Sequence, residues 1–459
     1  MVTSLSKIVE DVQTQSRIKR FLKRFNVARL LWESGFSKVK GYPIIDLVEF
    51  LLTLVFTHKN LYRLIHSDKN NCIYGKDSVY GVLNDPRFDW RKLQLKLGGR
   101  IIKDFLAPLT GDKRVSAIVI DDSTYARNRS KKVELLARLK DHVTGSYYRG
   151  FKKLTAGWTD GATFIPLAFS LQSSQKEANR LYEQGPDVPL NTPGHSRRRE
   201  AVQPGTQMVL ELLDQIVNQV SDFQYVLFDS WFSWPKVIRG IKDRGYDVIC
   251  MLKDMPHLQY KYQDQTYRLS ELYKTVAKND PDNKSECIAT VEVDYYGLPV
   301  RIVFVRNRNN SNKREWLALL STNTDLPVQE IIRTYGLRWD IEVYFKVCKS
   351  YLRLAKEFQS RSYDAMFAHT SIVSMRYMML AVENREQIDD RAHGGIFYQF
   401  CDEVADMDFA QAFFCLLDLL KQALRENLFL SESVASELIS RFMDNLPKFL
   451  KVRLYLQTA

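Results

Sequence analysis

The chain has 459 residues, too many for one small hydrophobic core, so two or three domains are expected. With 45% hydrophobic and 26% charged residues it has the composition of a folded globular protein, which excludes a disordered or low-complexity polymer. The formal charge of +12 points toward a polyanionic partner, nucleic acid or an anionic surface, although a basic enzyme with neither would carry the same charge. The six cysteines, Cys72, Cys250, Cys287, Cys348, Cys401 and Cys415, form no CxxC pair and no zinc spacing, so reduced and mostly buried thiols are expected. The N-terminus lacks the apolar core of a signal peptide. The most apolar stretch, Ile44 to Phe56, carries Asp46 and Glu49, so a buried helix is expected there and not a membrane span. A cytoplasmic, nucleoid-associated protein is the expectation.

Residues 1–110 read as helices. Ser16 to Phe25 alternates bases with apolar residues at helical spacing. Pro43 opens the next helix, Ser78 is a candidate N-cap, and a further helix runs from about Asp89 to Phe105. Short helices with basic faces suit a DNA-binding module or a plain bundle. From residue 115 the texture changes. Val115 to Ile120 is a buried strand followed by two aspartates, and Lys153 to Asp160 and Phe164 to Leu171 are two more. A loop from about Ser173 to Arg199 precedes a helix from Gly205 to Val220. Tyr225 to Phe228 is a strand ending at Asp229, and a helix from Pro235 leads to the strand DVICML. Three strands, helix, strand, helix, strand is the order of a ribonuclease-H-like mixed α/β sheet. Residues 253–324 read as a β-rich insertion with turn-rich separators, and Pro327 opens one long helix through Ser350. The rest, 361–459, is helical. The expected domains are thus 1–110, 111–360 and 361–459.

In TYGLRWDIEVYFKVCK, Tyr335, Arg338, Glu342 and Lys349 fall within roughly 60° of one helix face at about 100° per residue. Taken alone, that face reads as a solvated one, with an Arg338–Glu342 pair at i,i+4. The pattern Tyr-x2-Arg-x3-Glu-x6-Lys, however, resembles the signature of bacterial insertion-sequence transposases of the DDE type. The resemblance extends over about residues 115–360: an aspartate after the first strand in IVIDDST, another in VLFDSWFS, and a β-rich insertion before the glutamate.

The resemblance implies a transposase that cleaves the ends of a mobile element and joins the 3′-hydroxyls to target DNA. Family members resolve the second strand through a hairpin. Asp122, Asp229 and Glu342 would hold two Mg²⁺ ions, with Mn²⁺ able to substitute, because in-line phosphodiester displacement needs both oxygens stabilised. Asp121 and Asp122 point to opposite strand faces, and Asp122 is preferred because Asp122-Ser123-Thr124 fits the Asp-x-Thr pattern of related sites. Tyr335, Arg338 and Lys349 would contact phosphates at the element end, and Trp316 would stack on a flipped base or else fill a strand core. Arg127 to Lys153 holds nine Lys or Arg against two acids; Arg127, Arg129, Lys131 and Lys132 are candidate DNA contacts, and Arg197 to Arg199 form a second cluster. His142 and His195 form no metal spacing. The partners implied are double-stranded DNA and a second copy in the synaptic complex, with no membrane. A structure-specific nuclease on the same fold and a non-catalytic DNA-binding protein are the competing readings.

Overall fold

The computed structural model describes residues 16–454 except 39, 66–73, 112–113, 142–143, 184, 278–285, 308–314, 358–359, 387–392 and 429. Cys72, His142 and the turn-rich separators of the insertion lie outside the described residues. Among the described residues, no helix is long and apolar enough to cross a membrane.

The chain forms two compact units, one of residues 33–36 and 80–381, the other of 1–32, 37–79 and 382–459. The division does not follow the expected boundaries at 110 and 360. Residues 80–110 join the sheet because the helix α1, Trp90–Ile101, lies directly on it. A Cβ on Gly98 would come within 2.6 Å of Leu167 Cδ2, so the missing side chain is what allows the close approach. Gln94 donates to the Pro166 carbonyl, and buried Arg91 donates to the Phe169 carbonyl and pairs with Glu200 at 2.6 Å.

One mixed sheet of twelve strands runs through the larger unit. β1 (Ala117–Ala126), β2 (Leu136–Lys140), β3 (Tyr147–Thr159), β4 (Phe164–Gln172) and β5 (Arg180–Tyr182) precede β6 (Tyr225–Phe228) and β7 (Asp247–Leu252). β8 (Tyr260–Tyr262), β9 (Gln265–Tyr267), β10 (Cys287–Asp294), β11 (Pro299–Arg306) and β12 (Trp316–Ser321) follow. β1 pairs antiparallel with β3 and parallel with β6, and β6 parallel with β7. That is the ribonuclease-H-like core. β3 starts at Tyr147, earlier than its apolar run at 153, because its polar first half pairs with β2, a short strand with no clear alternation in its sequence. The insertion is no appendage: β12 pairs antiparallel with β7, so β12, β11, β10, β8 and β9 continue the same sheet.

Helices cover the sheet as apolar crossovers require. α2 (Pro193–Ala201) and α3 (Gly205–Val217) lie against β4, α4 (Pro235–Lys242) against β7, and α5 (Val328–Gly336) against β7 and β12. α6 (Trp339–Ser350) lies against β1 and β4, and α7 (Tyr363–Glu386) follows it. α2 corrects the expected loop through Arg199: Thr192 caps it by accepting from the His195 N–H, with Pro193 in its first turn. In the smaller unit, Arg17 pairs with Glu383 at 3.0 Å and Glu403 at 2.9 Å, fastening the helix Arg17–Arg24 to the C-terminal helices.

Gly150 marks the point where β3 crosses the end of β1. Its φ of 153° suits glycine alone, and a Cβ there would lie 2.1 Å from the Tyr125 carbonyl oxygen. Gly150→Ala is expected to lower unfolding free energy by at least about 2 kcal/mol, read by denaturant unfolding.

Candidate active site

The sheet leaves a crevice where β6 stops. β6 pairs with β1 only as far as Phe228 opposite Ile120, whereas β1 continues to Ala126 on its β3 partner alone. Asp121 is the first β1 residue beyond β6, and Asp229 is the first residue after β6. The two carboxylates therefore meet at one corner for a topological reason: parallel neighbours of unequal length bring their C-terminal ends together.

Glu342 reaches the same corner through α6. The expected single helix from Pro327 to Ser350 is two helices, α5 and α6, divided at Leu337 and Arg338. The turn is tightened: the Leu337, Arg338, Asp340 and Ile341 N–H groups each donate to the carbonyl three residues back. Gly336, a poor helix former, precedes the break. α6 is then pinned to the sheet on either side of Glu342. Thr159 Oγ1 donates to Asp340 Oδ2 at 2.6 Å, and the wholly buried Lys153 donates to the Tyr344 hydroxyl at 2.5 Å. Burial without a carboxylate partner pulls the Lys153 ammonium down to about 8.

The break aims Arg338 into the crevice. Its Nη1 lies 2.6 Å from Asp121 Oδ2 and 3.4 Å from Glu342 Oε1, so one nitrogen bridges the two carboxylates. Burial, then the field of Asp229, drives the Asp121 carboxyl up to about 8, against the pull of Arg338 and with a further push from Glu342. Asp229 is raised as well, by burial first, although its Oδ1 accepts the Trp231 N–H at 2.9 Å and Arg338 lowers it. Burial opposes the charge on Arg338, yet Tyr335 and the three carboxylates together hold its pKa above the ordinary value. The corner thus has more negative charge than one guanidinium neutralises.

Asp122 also adds to the field that raises Asp229, but it pairs with a different cation from Asp121. Its Oδ2 accepts from Lys152 Nζ at 3.2 Å, and Lys152 lies 4.7 Å over the half-exposed Trp231 ring. Among the first-strand aspartates it is Asp121, and not the expected Asp122, that Arg338 links to Glu342. The Asp-x-Thr spacing carries no information on strand facing, and the apolar run to Ile120 is buried on both faces, so alternation could not choose either. Asp121 was the alternative weighed against Asp122, whereas Lys152 was counted only within a basic stretch and Trp231 was not singled out. Trp231, two residues past Asp229 and exposed, was findable by position alone.

The remaining expected residues divide. The Tyr335 phenol lies beside Arg338, and burial holds its pKa above the usual tyrosine range, so it stays a hydrogen-bond donor. Lys349 Nζ lies 3.4 Å from Thr124 Oγ1 on β1, just beyond the aspartates. The half-buried Trp316 ring stacks on Tyr273 at 4.7 Å and meets Phe304 edge-on at 5.3 Å. Arg127 spends its guanidinium on the Ala355 and Ser360 carbonyls, whereas Arg129, Lys131 and Lys132 are exposed. In the second cluster, Arg197 pairs with Asp364 at 2.7 Å and Arg198 with Glu134 and Asp364, so two of its three arginines hold the fold together.

Carboxylate oxygens are hard donors that suit Mg²⁺ or Mn²⁺, and their unrelieved negative charge fits a divalent cation. As the side chains stand, no group of three or more such ligands among the described residues is ready to hold one, and Arg338 occupies the place between Asp121 and Glu342.

Two family models match the chain, that of the DDE superfamily endonuclease over residues 71–265 and that of the transposase DDE domain over 194–379. Together the two matches span residues 71–379, and the families they describe generally use divalent metals. No protein of curated function matches. The chain is also similar to piggyBac transposase solved in a synaptic complex with hairpin DNA, at 9% identity and a TM-score of 0.43, with 96% of this chain and 86% of that one covered.

The raised carboxylates set a pH dependence. A folded-state pKa above the unfolded value means that protons are bound preferentially by the folded chain, so the stabilisation is complete below the unfolded pKa near 4 and lost as pH rises through about 8. In the presence of a chelator, the melting temperature should fall between pH 5 and pH 8.5, and Asp121→Asn should flatten that fall. An unchanged pH profile in Asp121→Asn, measured by calorimetry, would contradict the assignment.

Proposed function

We propose that the protein is a DNA transposase that cleaves the ends of a mobile element and joins the freed 3′-hydroxyls to target DNA. Asp121, Asp229 and Glu342 form its metal-binding carboxylates. The observation that carries this reading is the single Arg338 nitrogen bridging Asp121 and Glu342 in a crevice that Asp229 also charges. Two divalent ions held there would stabilise the attacking and leaving oxygens of an in-line displacement. The protein side of the chemistry is positioning. Arg338 is the group best placed to exchange its carboxylate contacts for the phosphate at the cut, and a guanidinium grips phosphate through two parallel bonds. Tyr335 offers a protonated hydroxyl to the same phosphate, and Lys349 a cation one step along β1. Trp231 and Lys152 line the side of the crevice nearest Asp229. Asp122 orients Lys152 and is not a metal ligand. The working form holds two element ends and therefore two copies of the chain.

Two outcomes test this. Asp121→Asn, Asp229→Asn and Glu342→Gln should each lower Mg²⁺-dependent nicking of duplex DNA by more than about a thousandfold while duplex binding persists. Asp122→Asn should cost less than about tenfold; the reverse ranking of Asp121 and Asp122 would exchange their roles. Arg338→Ala should lose about 1.5–3 kcal/mol of transition-state stabilisation in single-turnover cleavage at saturating protein. A normal rate there would return the Tyr335 to Lys349 face to a solvated one. Joining of a pre-cut 3′ end to a second duplex separates a transposase from a nuclease.

A further inference from the structure

β1 leaves the carboxylate crevice and ends at Ala126 in a groove of about 880 Å³ formed by residues 126–133 on one side and Ala355, Lys356, Ser360 and Arg361 on the other. Its described lining carries six cations, Arg127, Arg129, Lys131, Lys132, Lys356 and Arg361, and no carboxylate. The two walls are far apart in the chain and are fastened to each other. Arg127 Nη1 donates to the Ala355 carbonyl at 3.2 Å and Nη2 to the Ser360 carbonyl at 3.1 Å, and the Glu134 N–H donates to the Arg361 carbonyl at 3.0 Å. Arg127 is therefore a positioning residue. The other five cations are exposed, and none forms an ion pair among the described residues.

Five like charges held around one concavity repel one another, and a fold that clamps them there is relieved by a polyanion. From Asp121 to Ala126 is five residues of strand. At about 3.3 Å per residue this is roughly 17 Å, the rise of about five base pairs of duplex at 3.4 Å each. A duplex entering the crevice thus reaches the groove within half a helical turn. We propose, building on the DNA reading of the carboxylate crevice, that this groove seats the phosphate backbone of the same duplex, without reading its sequence, through Arg129, Lys131, Lys132, Lys356 and Arg361. Lys356 and Arg361 come from a segment with no basic run of its own in the sequence, and they enter only because Arg127 draws it in.

The test is equilibrium binding of the full chain to a 30-base-pair duplex of arbitrary sequence across a NaCl series. Each phosphate contact contributes about 0.9 to the slope of log K against log salt. The fourfold variant Lys131→Gln, Lys132→Gln, Lys356→Gln, Arg361→Gln should flatten the slope by about three to four, equally on duplexes of different sequence. Single Lys131→Gln and Lys356→Gln variants should each flatten it by about one, which keeps the test open if the fourfold protein folds poorly. Arg127→Met, with all five cations retained, should weaken binding by loosening the walls. An unchanged slope in the fourfold and single variants overturns the groove and leaves the carboxylate reading standing, since nicking measures that separately. A wild-type chain with no salt-dependent affinity for duplex overturns both.

Discussion

Three carboxylates and one guanidinium share a partly buried corner, and the arrangement around them follows from that imbalance. Like charges a few ångström apart in a partly buried place cannot all remain ionised without cations between them. Burial first and the field of Asp229 second drive the Asp121 carboxyl to about 8, and Arg338 offsets only part of this. Such a corner is costly to the resting fold. It persists because the elements that carry it are fixed for other reasons: β1 by β3, and α6 by Thr159 and Lys153 on either side of Glu342. The scaffold holds the acids together, and their surplus negative charge is what a divalent ion would relieve.

The same logic explains why the helix breaks at Arg338. An unbroken helix from Pro327 to Ser350 would place arginine and glutamate on one face as an ordinary i,i+4 pair. The tightened turn instead sends the guanidinium across to β1, 217 residues away in sequence, while Glu342 stays within its reach. One nitrogen then connects two distant elements. Among the charged groups of the larger unit this joins others with a long span, such as Arg198 with Glu134 and Asp364, and the Arg338 contact lies beside surplus negative charge.

Much of this was readable in the chain. The strand ending at Ile120, the strand ending at Phe228 and the helix carrying Glu342 are marked by apolar runs and turn residues, so the sheet order followed and Asp229 and Glu342 stood out as candidates. What failed did so for identifiable reasons. The choice between Asp121 and Asp122 depends on facing, and a strand buried on both sides carries no alternation to read. Trp316 and the arginines of α2 have side chains whose use depends on what distant segments bring to them: Tyr273 and Phe304 for the ring, Asp364 and Glu134 for the guanidinium groups. β2 and β5 are short elements at one end of the sheet whose pairing no local pattern announces. The domain boundaries moved because α1 owes its place to Leu167 and Pro166, which lie some seventy residues downstream.

The continuation of the sheet from β7 into β12 bears on how this chain can vary. Because β12 occupies the hydrogen-bonding edge of β7, the excursion between them cannot be excised cleanly; removing it would leave β7 with unpaired backbone groups and a template for pairing between molecules. The far end is different. β8 and β9 form a three-residue hairpin at the margin of the sheet, joined to β10 through a single paired position, Asp294 with Lys261. Growth, trimming or exchange of material is cheapest there. Inheritance should therefore keep β12, β11 and β10 as a fixed shoulder beside the catalytic sheet and let diversity accumulate at the rim.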